Sequence, residues 1–414
     1  MAYFTFLYFF CVFIYIIRKR GVDISACIIG VYMVSAFLSI YLLNNSTDYS
    51  DKHPSFLPSI IYCSMITLVT IPFYRFNSTQ VRYFPKVNIR VFNYLSWVLI
   101  IGFMFSILLF KDDILLRLAL GQEIGTLRGQ TSSDLGTAQA SLSGPFRALS
   151  SLFMTILSLS PVSFILFFYS VTFLRKKLYF NILLFLSSFG CLIASIVGID
   201  RSVFFYWTID FIFIYVLFRP YLSKKVKKYT AIIAICMLSL VASYLIMMTL
   251  SRFEDRATES FFDYFGQSYL NFCWFWDNYD APLINWGILC PITSHFFDID
   301  WGAPVSAVDF GLFVETKVGY FVNLFYTFMG TVMLYLGQWA VIPFCFVFYK
   351  ISNNLLNKHT CFGVQTFIRL FILAVVPFCG VILYLYVDYI RFMAALIMLL
   401  FCYLLDQRMK KNNK

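Results

Sequence analysis

Uncharged, largely apolar stretches long enough to cross a lipid bilayer recur along the whole chain of 414 residues. A bilayer core about 30 Å thick requires roughly 20 apolar residues per helix. The sequence therefore predicts a single all-α integral membrane domain over residues 1–414, with about eleven transmembrane helices. The predicted segments are 1–17, 24–43, 58–74, 91–110, 149–174, 178–197, 203–218, 231–250, about 332–349, 363–385 and 389–405.

Lysine and arginine concentrate in alternate gaps between these segments, which indicates the orientation of the chain. The gaps after the odd-numbered segments hold 21 of the 32 Lys and Arg residues, whereas the opposite gaps hold 10 of them against 18 of the 21 acidic residues. Short cytoplasmic loops are enriched in Lys and Arg. We therefore expect an uncleaved first helix with the N-terminus outside and the C-terminus in the cytoplasm. The net charge of +11 follows from this division and does not indicate nucleic-acid binding.

Two long loops are predicted on the outer face, at about 111–148 and 251–320. Residues 114–120 form an amphipathic stretch that is expected to lie along the membrane surface. The second loop contains fourteen aromatic residues between Phe261 and Trp301. They are interpreted either as an interfacial aromatic belt or as a sugar-binding surface that includes Trp274 and Trp276. The uncharged run 318–349 predicts a half-helix at 318–331 followed by a full span.

Arginines at predicted helix ends on the outer face are candidate groups for binding an anion. Arginine presents a rigid pair of donors to phosphate oxygens and stays charged. Arg201 and Arg252 are predicted to lie at similar depth at the mouth of the helix bundle, and Arg147 and Arg256 are further candidates. The alternative for each is an interfacial cation, or one that pairs with a neighbouring acid.

Several other residues on the same face are candidates for proton transfer. Glu254 or Asp255 is positioned to accept a proton from an attacking hydroxyl, although a local ion-pair network is the alternative. His295 is a candidate base or phosphate contact, or an exposed polar residue. Asp210 and Arg369 are the charges deep inside predicted segments and are candidates to pair with each other. No metal-binding or nucleotide-binding motif occurs, so no cofactor is expected.

This layout resembles the bacterial O-antigen and capsule repeat-unit polymerases of the Wzy type. The resemblance covers the whole chain and is strongest at the turn Gly198–Ser202, which is similar to a glycine-then-Arg-Ser turn of that family. It extends to Arg252 and to the uncharged segment from Gly330 to Gly337. Some members carry glycine eleven positions after a loop arginine. None of the outer arginines from Arg117 to Arg256 has this feature, so that signature does not transfer.

The resemblance implies a glycosyltransferase of the bacterial inner membrane, embedded in membrane lipid, that works on the periplasmic face without a metal. Its substrates would be undecaprenyl-pyrophosphate-linked oligosaccharides. Arginines would bind the pyrophosphate, and Arg201 and Arg252 are the leading candidates. The aromatic loop would hold the glycan. A chain-length regulator and a flippase are the implied protein partners, and nucleic acid is not.

Two other classes stay open. One is a lipid-linked oligosaccharide flippase or another secondary transporter, for which short loops on both faces and charged residues in mid-helix are expected, the reverse of this sequence. The other is an O-antigen ligase, which would use the same arginine chemistry. The sequence separates polymerase from ligase poorly.

Overall fold

The computed structural model of the chain describes residues 1–76, 87–120, 155–193, 202–253, 257–278, 327–357, 363–382 and 389–411. Within these ranges the chain is helical and forms no β-strand, which confirms the predicted all-α class. The helices, numbered in chain order, are α1 Ala2–Arg20, α2 Ile24–Asn45, α3 Phe56–Arg75, α4 Ile89–Leu120, α5 Ser160–Tyr169, α6 Leu178–Ser187, α7 Ser202–Phe218, α8 Lys224–Phe253, α9 Ala257–Asn278, α10 Thr327–Leu336, α11 Val341–Asn357, α12 Val364–Cys379 and α13 Tyr389–Lys411.

Several of these helices have the length and composition of membrane spans. Among the described residues, five stretches are long and apolar enough to cross a bilayer: Ala2–Arg20, Ile24–Asn45, Phe56–Arg75, Ile89–Asp112 and Gln338–Leu356. The total of eleven spans stays a prediction. Residues 114–120 form the last turns of α4, and their placement along the membrane surface stays a prediction.

The chain divides into two compact units. Unit 1 consists of Met1–Gln80, Thr258–His359 and Ile372–Phe392, and unit 2 of Val81–Ala257, Thr360–Phe371 and Met393–Lys414. Unit 1 therefore contains α1 to α3, nearly all of α9, α10, α11 and the last part of α12. Unit 2 contains α4 to α8, the first part of α12 and most of α13.

Basic side chains gather at one end of unit 1, which we call the basic end. The C-terminus of α1 meets that of α3 there, because Arg20 donates to the carbonyl oxygen of Phe76 at 3.4 Å and its guanidinium lies 4.6 Å from the centre of the Tyr74 ring. Arg75 donates to the hydroxyl of Tyr349 at 3.1 Å, which adds the second half of α11. Cations at helix C-termini are also favoured by the helix dipole.

The opposite end of unit 1, which we call the polar end, joins the other termini of the same helices. Ser55, which precedes α3, donates to Asp277 of α9 at 2.9 Å. Asn44 of α2 donates to the hydroxyl of Tyr3 in α1 at 3.2 Å. The helices α1, α2 and α3 therefore alternate in direction between the two ends, and the C-terminus of α9 lies at the polar end.

Helix α9 lies within the segment predicted as the second outer loop, and it packs closely on α2. A Cβ atom on Gly266 would come within 2.9 Å of the Leu38 backbone. The hydroxyls of Ser35 and Ser39 donate to the carbonyl oxygens of Phe265 and Gly266 at 2.6 and 2.5 Å. Small residues and hydroxyl-to-carbonyl hydrogen bonds are typical of contacts between membrane helices. α9 is thus an integral part of unit 1.

A short helix, α10, occupies Thr327–Leu336 within the uncharged run, and most of the half-helix predicted at 318–331 lies outside the described residues. The ten residues of α10 span about 15 Å, half the thickness of a bilayer core. The backbone N–H groups of Thr327 and Phe328 donate to the carbonyl oxygens of Ile382 and Gly380 at 2.8 and 2.7 Å. Gly337, with a φ of 96°, ends the helix and leads into α11.

Unit 2 is packed largely through aromatic rings. The Phe164 ring lies 5.5 Å from Trp207 and 5.4 Å from Phe211, which joins α5 to α7. Phe218 of α7 lies 4.5 Å from Phe367 of α12. Offset and edge-to-face ring pairs at these distances contribute about 0.5–1.5 kcal/mol each beyond their buried area.

Replacing Gly266 with alanine is expected to separate α9 from α2, because the new methyl group would overlap the Leu38 backbone. Overpacking costs about 1–3 kcal/mol, so we expect the thermal midpoint of the purified chain in detergent to fall by a few degrees. The control is Gly30→Ala, whose methyl group meets the Phe13 ring at 3.2 Å, a side chain that is able to rotate. Equal midpoints for the two variants would contradict the close packing of α9.

Candidate functional site

A compact turn between α2 and α3, at the polar end, carries a buried lysine. The N–H of Ser50 donates to the carbonyl oxygen of Ser46 at 3.1 Å, and the N–H of Lys52 to that of Tyr49 at 3.0 Å. Lys52 is 8% exposed, and its Nζ lies 4.2 Å from the centre of the Tyr49 ring. An ammonium group is attracted to the face of an aromatic ring, so Tyr49 offsets part of the cost of burying this charge.

Polar residues follow one side of α9 next to this turn. Asp263, Gln267, Asn271 and Trp274 are spaced four, four and three residues apart, so they share one face of the helix. We call these four residues the α9 stripe. Gln267 and Asn271 are 1% and 3% exposed. The Oε1 atom of Gln267 accepts from the Tyr49 hydroxyl at 3.0 Å and from Asn271 Nδ2 at 3.4 Å, which ties the stripe to the turn.

Electrostatic interaction links the lysine to the same stripe. Burial lowers the pKa of Lys52 from 10.5 to about 8, while the carboxylates of Asp48 and Asp263 act in the opposite direction. A group with a pKa near the ambient pH is able to donate or accept a proton. The turn and the stripe therefore combine an ammonium, a carboxylate, two amides and an indole.

The other side of α9 packs into the interior of unit 1. Tyr269 and Phe272 are fully buried, with their rings 5.0 and 5.4 Å from the ring of Tyr62 in α3. The Tyr269 hydroxyl accepts from Thr5 at 2.9 Å and bonds to Ser59 at 2.8 Å. Much of the aromatic content of this segment therefore fills the core of unit 1.

The two tryptophans predicted to bind substrate lie on different sides of α9. Trp274 is half-buried and belongs to the stripe. Trp276 is 6% exposed, and its ring lies 5.5 Å from that of Trp339 and 5.9 Å from that of Phe272. Its indole is covered by these neighbours and does not offer an open surface for stacking a sugar.

Most of the other predicted site residues fall outside the described residues. Arg252 is in the last turn of α8. The remaining candidates, Arg147, Arg201, Glu254, Asp255, Arg256 and His295, are not among the described residues. The grouping of arginines around a pyrophosphate therefore stays a prediction.

The two predicted intramembrane charges both belong to unit 2. Asp210 follows Trp207 by one turn of α7, and the Trp207 indole donates to the carbonyl oxygen of Ser188 at 3.0 Å. Arg369 lies two residues from Phe367 and two from Phe371, whose rings contact α7. A pair between Asp210 and Arg369 stays a prediction.

The sequence interpretation did not single out Lys52, Tyr49 or Gln267. The four-four-three spacing of the stripe is visible in the sequence, but it has no meaning in a segment interpreted as a loop. Lys52 was one of the 10 basic residues on the predicted outer face, and only its burial distinguishes it. Within the described ranges, no group of three or more His, Cys, Asp or Glu residues is arranged to hold a metal ion.

Comparisons with known proteins identify no relative. No protein-family model, no curated protein and no solved structure matches the chain significantly.

The lowered pKa of Lys52 predicts a pH dependence of stability. Because the folded-state pKa of about 8 lies below the ordinary value of 10.5, the unfolded chain binds more protons between these pH values. Stability should therefore rise with pH across that window. We expect the thermal midpoint in detergent, measured relative to a Lys52→Met variant, to increase from about pH 8 to about pH 10.5.

The matched control is Lys52→Arg, since arginine stays protonated throughout this range. Its midpoint relative to Lys52→Met should show no such increase. Parallel pH profiles for the unmodified chain and Lys52→Met would show that the pKa of Lys52 is not lowered by folding.

Proposed function

We propose that the chain crosses the bacterial inner membrane eleven times, with a periplasmic N-terminus and a cytoplasmic C-terminus. In support, the C-termini of α1 and α3 and the second half of α11 lie together at the basic end of unit 1, as alternating spans require. Arg18–Arg20 and Arg75 belong to that end. The enrichment of cytoplasmic loops in Lys and Arg assigns the basic end to the cytoplasm and the polar end to the periplasm.

We further propose that the chain polymerises undecaprenyl-pyrophosphate-linked oligosaccharide repeat units into O-antigen or capsular polysaccharide. A hydroxyl at the non-reducing end of one oligosaccharide attacks the anomeric carbon of another. A glycosidic C–O bond forms, the C–O bond to pyrophosphate breaks, and undecaprenyl pyrophosphate leaves with the bonding electron pair. The hydroxyl proton passes to a base, for which Glu254 and Asp255 are the candidates.

In this proposal the departing pyrophosphate carries growing negative charge. Positive groups placed where charge develops lower the barrier to reaction, and Arg201 and Arg252 are the candidates, with Arg147 and Arg256 in support. Trp274 and His295 are the proposed glycan contacts. A chain-length regulator and a flippase are the proposed partners. An O-antigen ligase is the nearest alternative, because it would use the same donor chemistry.

The observation that carries this proposal is the chemical difference between the two ends of unit 1. Cationic side chains gather at the basic end, whereas Lys52 and the α9 stripe gather at the polar end. An ammonium, a carboxylate, amides and a half-buried indole are the kinds of group that bind sugars. Their position opposite the basic loops suits a substrate presented at the periplasmic face.

A transporter is the second candidate. It is favoured by the place where the start of the short helix α10 meets the residues that follow the end of α12. Broken helices at membrane depth are typical of transporter substrate sites. In unit 1, however, the first N–H groups of α10 are already bonded to the carbonyl oxygens of Gly380 and Ile382. None of the buried residues of α10 is charged. The first two donors of α10 are therefore not available to an anionic substrate, which favours the polymerase.

Cysteine labelling tests the proposed topology. Thr47 follows α2 at the polar end, Ser223 precedes α8, and both are exposed. In a chain whose own cysteines have been replaced, we expect a membrane-impermeant maleimide to label Thr47→Cys in intact spheroplasts and Ser223→Cys only after lysis. The reverse pattern would invert the proposed orientation.

Deletion of the gene tests the proposed reaction. Loss of a polymerase should leave surface glycolipid with a single repeat unit, since export and transfer to the final acceptor continue. Loss of a flippase or ligase should remove even that unit. Gels of surface polysaccharide from the deletion strain and the complemented strain distinguish these outcomes.

Arginine variants test the proposed catalytic groups in the complemented strain. Loss of one electrostatic stabiliser of a transition state typically costs about 100-fold or more in rate, so Arg201→Ala and Arg252→Ala should each remove most long-chain polymer. The control is Arg219→Ala, an exposed residue in a predicted cytoplasmic loop. A normal ladder from both outer variants would contradict their assigned role.

A further inference from the structure

Two buried polar groups on or beside the α9 stripe make no hydrogen bond to any residue that the structure describes. Gln267 and Ser268 are 1% and 0% exposed, yet Gln267 Nε2 and the Ser268 hydroxyl have no partner. Buried polar groups in folded proteins are nearly always hydrogen-bonded, and an exception calls for a specific explanation such as a bound molecule. A ligand that accepts a hydrogen bond from Gln267 Nε2 is one such explanation.

The arrangement around Gln267 is directional. Its Oε1 atom already accepts from Tyr49 and from Asn271, so both of its known bonds are on the carbonyl side of the amide. The amide N–H groups are thereby left to donate to something else. Tyr49 acts here as a positioning residue, because its hydroxyl fixes the orientation of the Gln267 side chain.

The chemical types of the side chains in the stripe and at Lys52 favour one class of ligand over others. A phosphate would need donors alone and would be repelled by the Asp263 carboxylate. A hard metal ion would need several oxygen ligands, and the Gln267 oxygen is already bonded. Sugar hydroxyls both donate and accept, and sugar rings present C–H faces to aromatic side chains. A carboxylate, an amide donor, an ammonium and the half-buried indole of Trp274 match these requirements.

We propose that the α9 stripe and Lys52 form a saccharide-binding subsite. Its ligand is the glycan part of a lipid-linked substrate, and this identity of the ligand rests on the proposed function. In the subsite Gln267 and Lys52 donate to sugar oxygens, Asp263 accepts from a sugar hydroxyl, and Trp274 packs against the ring.

Photocrosslinking in living cells tests this subsite. A benzophenone-bearing amino acid replaces Trp274 in the full chain, and the purified protein is examined after illumination by glycan staining and mass spectrometry. The expected result is a covalent adduct that contains saccharide. Asn278, one turn further along α9 and exposed, is a second position should the first variant not fold. The matched control is Trp339, which packs on Trp276 at 5.5 Å and is not on the stripe.

Substitutions in the proposed subsite are the second part of the experiment. Loss of one hydrogen bond to a ligand corresponds to roughly a ten-fold loss of occupancy, so Gln267→Leu and Lys52→Met should each reduce the saccharide adduct about that much. Asn45→Leu, a change at an exposed residue of α2, should leave it unchanged. Equal amounts of each variant in the membrane are required for the comparison.

The outcomes separate this inference from the proposed function. The subsite would be overturned if saccharide were captured equally at Trp274 and Trp339, or at neither Trp274 nor Asn278. It would also be overturned if neither Gln267→Leu nor Lys52→Met reduced the amount of adduct. A different result is that deletion of the gene leaves the polysaccharide ladder unchanged while the complemented strain still yields saccharide adduct at the stripe. That pair of results would establish the subsite and refute polymerisation.

Discussion

A backbone N–H or C=O group inside a bilayer must find its partner within the protein, because hydrocarbon offers none. Unit 1 meets this requirement even where its helices break. The first donors of α10 bond to the carbonyl oxygens of Gly380 and Ile382, and the Tyr32 hydroxyl donates to the carbonyl oxygen of Pro377 at 2.7 Å. Residue 380 must be glycine, since a Cβ atom there would overlap the Val376 carbonyl group. The start of α10 is fixed by these bonds.

The polar end depends on a similar close contact. Because Gly266 lies directly against the α2 backbone, the rotation of α9 about its own axis is fixed. One side of the helix then carries Tyr269 and Phe272 into the core of unit 1. The next residue after the contact, Gln267, is turned by about 100° and meets Tyr49. The same packing that stabilises α9 thus sets the direction of the stripe.

The sequence predicted the helices of the described residues because their signals are local. Uncharged runs of about 20 residues report the spans directly, and the 32-residue uncharged run 318–349 required more than one helix. It did not predict α9 or its stripe. Glu259, Asp263 and Asp277 lower the hydropathy of that segment, so it was interpreted as a loop. The contacts that fold it into unit 1, such as Ser35 to Phe265, join residues 230 positions apart.

Lys52 shows why stability alone does not explain the polar end. Burying an ammonium costs free energy that nearby carboxylates and an aromatic ring recover only in part, as its lowered pKa reflects. An apolar side chain would fill the same space without that cost. A ligand that accepts hydrogen bonds would reduce the cost and stabilise the folded chain by mass action. Binding of a saccharide at the proposed subsite would therefore favour the folded chain at this turn.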